Sequence, residues 1–148
     1  MTTLKQVQHL PITLTQAWEF FATPINLNRI TPTDMSFSIT SELPDKMYEG
    51  LLITYVVRPF LQIPFYWCTE ITHLREREFF VDEQRQGPYR FWHHEHHFKE
   101  TSGGVLMTDL LYYDIGWSFF GWMAGKLWVD AKIRQIFDYR QKVLKEIF

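Results

Sequence analysis

The chain has 148 residues, the size of one ordinary domain, which leaves no room for the paired catalytic and cofactor domains of larger enzymes. Fifteen Lys plus Arg stand against 17 Asp plus Glu, for a net charge of -2, so no basic field exists to hold a phosphate backbone and nucleic acid is excluded as the expected partner. Aromatic residues reach 18%, heavy for this length, and imply an interior that lines or fills around something bulky or flat.

Leu4, Gln6, Gln8 and Leu10 alternate with Lys5, Val7 and His9, the period of a first strand over 3–10, and Pro11 ends it. Thr13 followed three residues later by Gln16 is a capping box, and Leu14, Ala17, Trp18 and Phe21 then form an apolar stripe at helical spacing, which predicts a helix over 14–22. Thr23-Pro24 repeats the start signal, and Thr31 before Pro32 closes a second short helix within two turns. From Met35 the period becomes that of strands, with blocks at 35–42, 51–58, 65–75, 78–86, 90–101 and 105–115. Six strands in succession with no intervening helix must pair as an antiparallel meander, and Gly87-Pro88 and Ser102-Gly103-Gly104 supply two of its turns. After Gly116 a helix of some 25 to 30 residues is expected, with Val129, Ile133, Ile136, Phe137, Val143, Leu144 and Ile147 on its apolar side. Its polar positions include Lys126, Asp130, Lys132, Arg134, Asp138 and Arg140. The expected class is α+β, in the order β-α-α-β6-α, with one domain over 1–148.

The single Cys68 can form no internal disulfide, and the first residues lack the apolar core of a secretory signal, so a cytoplasmic location is expected. The least polar stretch, 115–125, is about half the ~20 residues that span a bilayer, which argues against membrane insertion.

Four segments give the chain a family likeness: Phe80-Val81-Asp82-Glu83-Gln84 with Gly87-Pro88-Tyr89; Trp92-His93-His94-Glu95-His96-His97-Phe98; Gly103-Gly104-Val105-Leu106-Met107-Thr108-Asp109; and Ile136-Phe137-Asp138-Tyr139-Arg140 in the last helix. With them the chain resembles the START-like superfamily (SRPBCC; Bet v 1-like, polyketide cyclase/dehydrase), and within it a bacterial group of small cyclase-like ligand-binding proteins. The resemblance implies a helix-grip fold, a seven-stranded antiparallel sheet wrapped around the long C-terminal helix. It also implies an apolar tunnel for a lipid, sterol, quinone, polyketide or similar ligand; no cofactor is expected.

Strand neighbours two apart share a face. Trp92, His94, His96 and Phe98 are expected to face inward, because that set begins and ends with large apolar groups, while Phe91, His93, Glu95 and His97 face out. The same rule groups Phe80, Asp82 and Gln84; Met107, Asp109, Leu111 and Tyr113; Tyr55 with Ile53 and Val57; and Trp67 with Thr69 and Ile71. The candidate ligand-binding set is therefore Tyr55, Trp67, Phe80, Asp82, Gln84, Trp92, His94, His96, Met107, Asp109, Leu111 and Tyr113, with Phe120 and Met123 from the segment before the helix. A buried carboxylate needs a partner, so Asp82 and Asp109 are expected near His94, His96, Gln84 or a backbone donor. This His/Asp cluster is either a satisfied structural network, a device that orients a ligand, or the acid–base pair of a cyclase- or hydrolase-like enzyme.

The run His93–His97 invites a zinc reading, because His-x-His on one strand face offers two imidazoles and Asp82 or Asp109 a third ligand. The alternation, however, splits the four histidines between two faces and no second compact ligand motif follows, so no metal is expected. Cys68 has no neighbouring base and reads as a small buried hydrophobe; no G-x-S-x-G or Gly-rich phosphate loop is present. Trp18, Trp128 and Phe137 are expected in the core. Trp117-Ser118-Phe119-Phe120-Gly121-Trp122-Met123 is either core, a mouth hinged at Gly116 and Gly121, or a patch that touches a membrane surface or partner. The expected function is binding of a small to medium hydrophobic molecule between sheet and helix; an acid–base enzyme and an interaction or membrane-docking adaptor are the alternatives.

Overall fold

The computed structural model describes residues 1–59, 61–116 and 122–148, with backbone only for 122–124. Seven strands and two α-helices follow in the order β1 (Thr2–Leu10), α1 (Leu14–Phe21), two 3-10 segments (Pro24–Ile30 and Thr33–Met35), β2 (Ser38–Ile39), β3 (Leu52–Val57), β4 (Phe65–Arg75), β5 (Phe79–Gln86), β6 (Phe91–Thr101), β7 (Gly104–Asp114) and α2 (Trp122–Ile147). The strands form one antiparallel sheet in the order β1-β7-β6-β5-β4-β3-β2, a meander with the first strand added beside the last.

The capping box starts α1 as expected: Gln16 N donates to Thr13 Oγ1 at 3.2 Å, and Thr13 N donates back to Gln16 Oε1 at 2.9 Å. Most bounds fall within a residue of expectation, but two elements differ in kind or length. The second short helix is 3-10, and the strand expected over 35–42 shrinks to Ser38–Ile39. Met35 closes a 3-10 turn and Ser36 is left-handed at φ 44°, so the chain turns where alternation alone would have extended it.

Along the described part of α2 the buried residues are Gly125, Val129, Ile133, Phe137, Arg140 and Leu144, spaced by fours and a three, one row of a helix. That row lies on the β1–β7 side of the sheet. Val129, Ile133 and Phe137 pack with Leu111 and Tyr113, and Gln8 Nε2 donates to Gln141 O at 3.0 Å. Leu144 closes a second cluster with Trp18, Phe21, Phe98 and Met107. The strands at the other end, β3 to β5, face a space that α2 does not fill.

Candidate functional site

That space is a cavity of about 290 Å³, on the order of ten water volumes. Its sheet wall comes from β3 (Ile53, Tyr55, Val57), β4 (Phe65, Trp67, Thr69, Ile71), β5 (Phe80, Asp82) and β6 (Trp92, His94, His96). The opposite wall comes from α2, through Trp128, Val129, Lys132, Ile136 and Arg140, and one end from the 3-10 region, including Leu27, Ile30, Met35 and Phe37.

Of the candidate ligand-binding residues, Tyr55, Trp67, Phe80, Asp82, Trp92, His94 and His96 line the cavity. Met107, Asp109, Leu111 and Tyr113 do not, for one shared reason: all four are on β7, which α2 covers directly. Tyr113 spends its hydroxyl on Asp130 Oδ1 at 2.6 Å, and Leu111 is fully buried under the helix. Gln84 is withdrawn too, because its amide clasps the backbone of Tyr89, donating to the carbonyl at 2.6 Å and accepting from the N–H at 3.1 Å. That clasp holds the Gly87-Pro88 turn and puts the Tyr89 ring in the cavity wall. Phe120 and the side chain of Met123 lie outside the described residues.

An aromatic box forms one part of the wall. Trp67 stacks on Tyr55 at 5.7 Å, meets Tyr89 at 5.3 Å and takes Trp92 edge-on at 5.1 Å, while Phe37 caps Tyr55 at 4.7 Å. Tyr55 shares a 2.9 Å hydrogen bond with Thr69, and burial drives its phenol, like that of Tyr89, far above the ordinary value, so both stay neutral. Trp67 is 9% exposed, yet its Nε1–H has no hydrogen-bond partner among the described residues.

The polar part is a closed set of two imidazoles and two carboxylates, built by strand register. Asp82 pairs with His94 across β5–β6, and His96 with Asp109 across β6–β7. His96 Nε2 lies 2.7 Å and His94 Nδ1 3.5 Å from Asp82 Oδ2. On the far side, His94 Nε2 bonds Asp109 Oδ1 at 3.0 Å, and His96 Nδ1 lies 3.0 Å from the same oxygen without the alignment of a hydrogen bond. Trp92 Nε1 donates to Asp82 Oδ1 at 3.3 Å, and Arg140 Nη1 stands 3.7 Å from Asp109.

Burial pushes both carboxyls up, but the bonds and charges of the two histidines outweigh it and hold Asp82 and Asp109 below the usual range. Burial and the neighbouring His96 depress His94, whereas on His96 the two aspartates overcome burial and raise it. Of the two rings His96 is thus the one that holds a proton more readily and His94 the one that holds it less. When His96 is protonated, it and Arg140 set two cations against the two carboxylates, the pairing a charge set this deep in the fold needs.

Sequence reading missed two walls. Arg140 was expected on the polar face of α2, but it is 7% exposed, because it falls three residues after Phe137 and four before Leu144 on the buried row. That spacing was the available signal. Lys132, also read as polar surface, lines the cavity and reaches Asp34 at 3.8 Å. Trp128, expected in the core, forms part of the cavity wall, while Trp18 and Phe137 pack in the clusters. The 3-10 wall carries no period, so nothing in the sequence pointed to it. On the outer face, His93 bonds Glu83 at 2.6 Å and His97 bonds Glu95 at 2.7 Å. Cys68 is a half-buried free thiol.

No protein-family model matches the chain, and no curated protein sequence matches it. Solved structures do match over nearly its whole length. Protein Ms6760 from Mycobacterium smegmatis has a TM-score of 0.69 at 16% identity, with 98% of this chain and 89% of that one covered. TTHA0849 from Thermus thermophilus has 0.68 at 14%, covering 98% and 95%, and Ara h 8.0201 has 0.64 at 10%, covering 98% of each chain. Sheet order, the helices between β1 and β2 and the long last helix together make this the helix-grip fold of Bet v 1-like and START-like proteins. Among the described residues, no helix is long and apolar enough to cross a membrane.

Proposed function

We propose that the protein binds a small hydrophobic molecule in the cavity between β3–β6 and α2, and that the guest carries an acceptor oxygen. The observation that carries this reading is an aromatic-walled void of about 290 Å³ lined by Trp67, whose buried Nε1–H has no hydrogen-bond partner among the described residues. A buried donor without a partner costs about 1–3 kcal/mol, a cost that a guest carbonyl, quinone or ether oxygen removes. Arg140 Nε, also buried and without a hydrogen-bond partner among the described residues, offers a second such donor. The volume is at the lower end of the roughly 300–1,000 Å³ of ligand sites, which favours a compact ring system over a long acyl chain.

Binding is favoured over acid–base turnover by the closure of the polar set. A carboxylate oxygen stands within 3.5 Å of every ring nitrogen of His94 and His96, so the rings are engaged with Asp82 and Asp109 rather than held apart for a substrate proton. The adaptor alternative rested on residues 117–123, whose side chains lie outside the described residues.

Native mass spectrometry of protein purified from its own host is expected to show an apolar molecule bound one to one. Trp67→Phe, which keeps a ring and removes the donor, is expected to weaken a ketone- or quinone-bearing guest roughly 2- to 10-fold while leaving its deoxy analogue unchanged. Equal losses for the two guests would refute the acceptor, and a protein that takes up no apolar molecule would refute the cavity reading.

A further inference from the structure

We propose that Asp82, His94 and His96 form a binding site for one divalent metal ion of the zinc type, with its remaining coordination positions open to the cavity. This goes beyond the binding of an apolar guest and does not depend on it.

The three side chains each offer one ligand atom, all within 4.8 Å of one another, and all three line the cavity. Asp82 Oδ2 is 2.7 Å from His96 Nε2 and 3.5 Å from His94 Nδ1. Ligand atoms on a tetrahedral ion at ~2.0–2.1 Å stand about 3.3 Å apart; these two distances bracket that spacing, and the two imidazole nitrogens lie within 4.8 Å of each other. The residues are placed by paired positions on adjacent strands, Asp82 opposite His94 and Phe80 opposite His96, a rigid base for a coordination set.

The surroundings are those of a metal site as well. Metal-bound imidazoles turn their other nitrogen to a carboxylate, which fixes the tautomer. Here both outer nitrogens lie 3.0 Å from the one oxygen Asp109 Oδ1, His94 Nε2 in a hydrogen bond and His96 Nδ1 in a contact short of that alignment. Asp82 has its own support from Trp92 Nε1 on the oxygen that faces away from the histidines. When the outer nitrogens carry the protons, three lone pairs converge on one point with no donor among them. With both rings neutral, Asp82 and Asp109 outnumber Arg140 by one charge, so a divalent ion bound at that point takes the place of any proton that His96 holds. Two imidazoles with one carboxylate select zinc, cobalt, nickel or iron(II) over magnesium and calcium.

The expectation of no metal rested on the histidine run dividing between two faces. It does divide, but each face then holds its own pair, and the inner pair receives its third ligand from β5. The outer pair, His93 and His97, flanks Glu95 and is the competing site that any test must separate.

The test is zinc titration of the guest-free, chelator-treated full chain by calorimetry, with the histidine ring nitrogens followed by NMR and cobalt(II) as an optical probe. Uptake of one equivalent is expected, with ring shifts at His94 and His96 and visible cobalt bands of imidazole ligation. Asp82→Asn is expected to weaken zinc about tenfold or more, whereas the double variant His93→Gln, His97→Gln binds as the parent does. The proposal is overturned by absence of one-to-one uptake in the parent, by ring shifts confined to His93 and His97, or by a folded Asp82→Asn chain that binds zinc undiminished. Should Asp82→Asn not fold, the ring shifts of the parent decide alone. Because no guest is present, failure of the apolar-ligand reading leaves this result standing, and the reverse.

Discussion

Asp109 is the residue on which the polar set is hung. It is 5% exposed, bonds His94, touches His96 and faces Arg140. Removing one partner from a buried charge set costs about 3–5 kcal/mol, because the others are left uncompensated. Asp109→Asn is therefore expected to lower Tm by roughly 10 °C, at ~2–4 °C per kcal/mol for a chain near this size, and an unchanged Tm would show the set to be decorative. The pH dependence has a definite sign. A carboxyl whose folded pKa lies below its unfolded value of ~3.9 contributes stability that is complete above about pH 5 and is lost as pH falls through the lowered value. Asp82 and Asp109 both behave this way. Urea midpoints of the metal-free parent should fall between pH 5 and 2, and Asp109→Asn should show a shallower fall across the same range.

At the scale of elements, the glycines of the β6–β7 turn separate two roles that look alike in sequence. Gly104 has φ 143°, and a Cβ there would stand 2.1 Å from the carbonyl oxygen of Leu10, at the end of β1. A backbone oxygen cannot step aside without parting β1 from β7, whose nine paired positions carry the edge of the sheet. Gly103 meets only the ring of His9, at 3.8 Å. Gly104→Ala is expected to cost well over ~1 kcal/mol, and Gly103→Ala to stay within about 0.5 kcal/mol, as read by chemical denaturation. Similar losses at both positions would contradict this account of the turn.

For the molecule as a whole, the consequence of placing α2 over β7 and β1 is a core in one half and a void in the other. A void of this size under an intact sheet is a standing loss of packing contacts, which a guest recovers. At a hundredfold excess over Kd, a ligand that binds only the folded state adds ~2.7 kcal/mol, so the cognate guest is expected to raise Tm by roughly 5–10 °C. Val57→Phe, placed in the cavity wall, should abolish that rise. A folded Val57→Phe chain that still shows the full shift would place the guest elsewhere.

Alternation and capping, which depend on residues a few positions apart, were enough to establish every strand block except 35–42, together with α1, the length of α2 and the inward set Trp92, His94, His96 and Phe98. The same local rules place His94 and His96 on one side, and they name Asp82 and Asp109 as their possible partners. They cannot say which wall of the sheet the helix covers. That choice withdrew Met107, Asp109, Leu111 and Tyr113 from the cavity, buried Arg140, and made Tyr89 and the 3-10 segments into walls. It is a matter of contacts between elements distant in sequence, so only the folded chain settles whether a patterned inner face meets a helix or an open space.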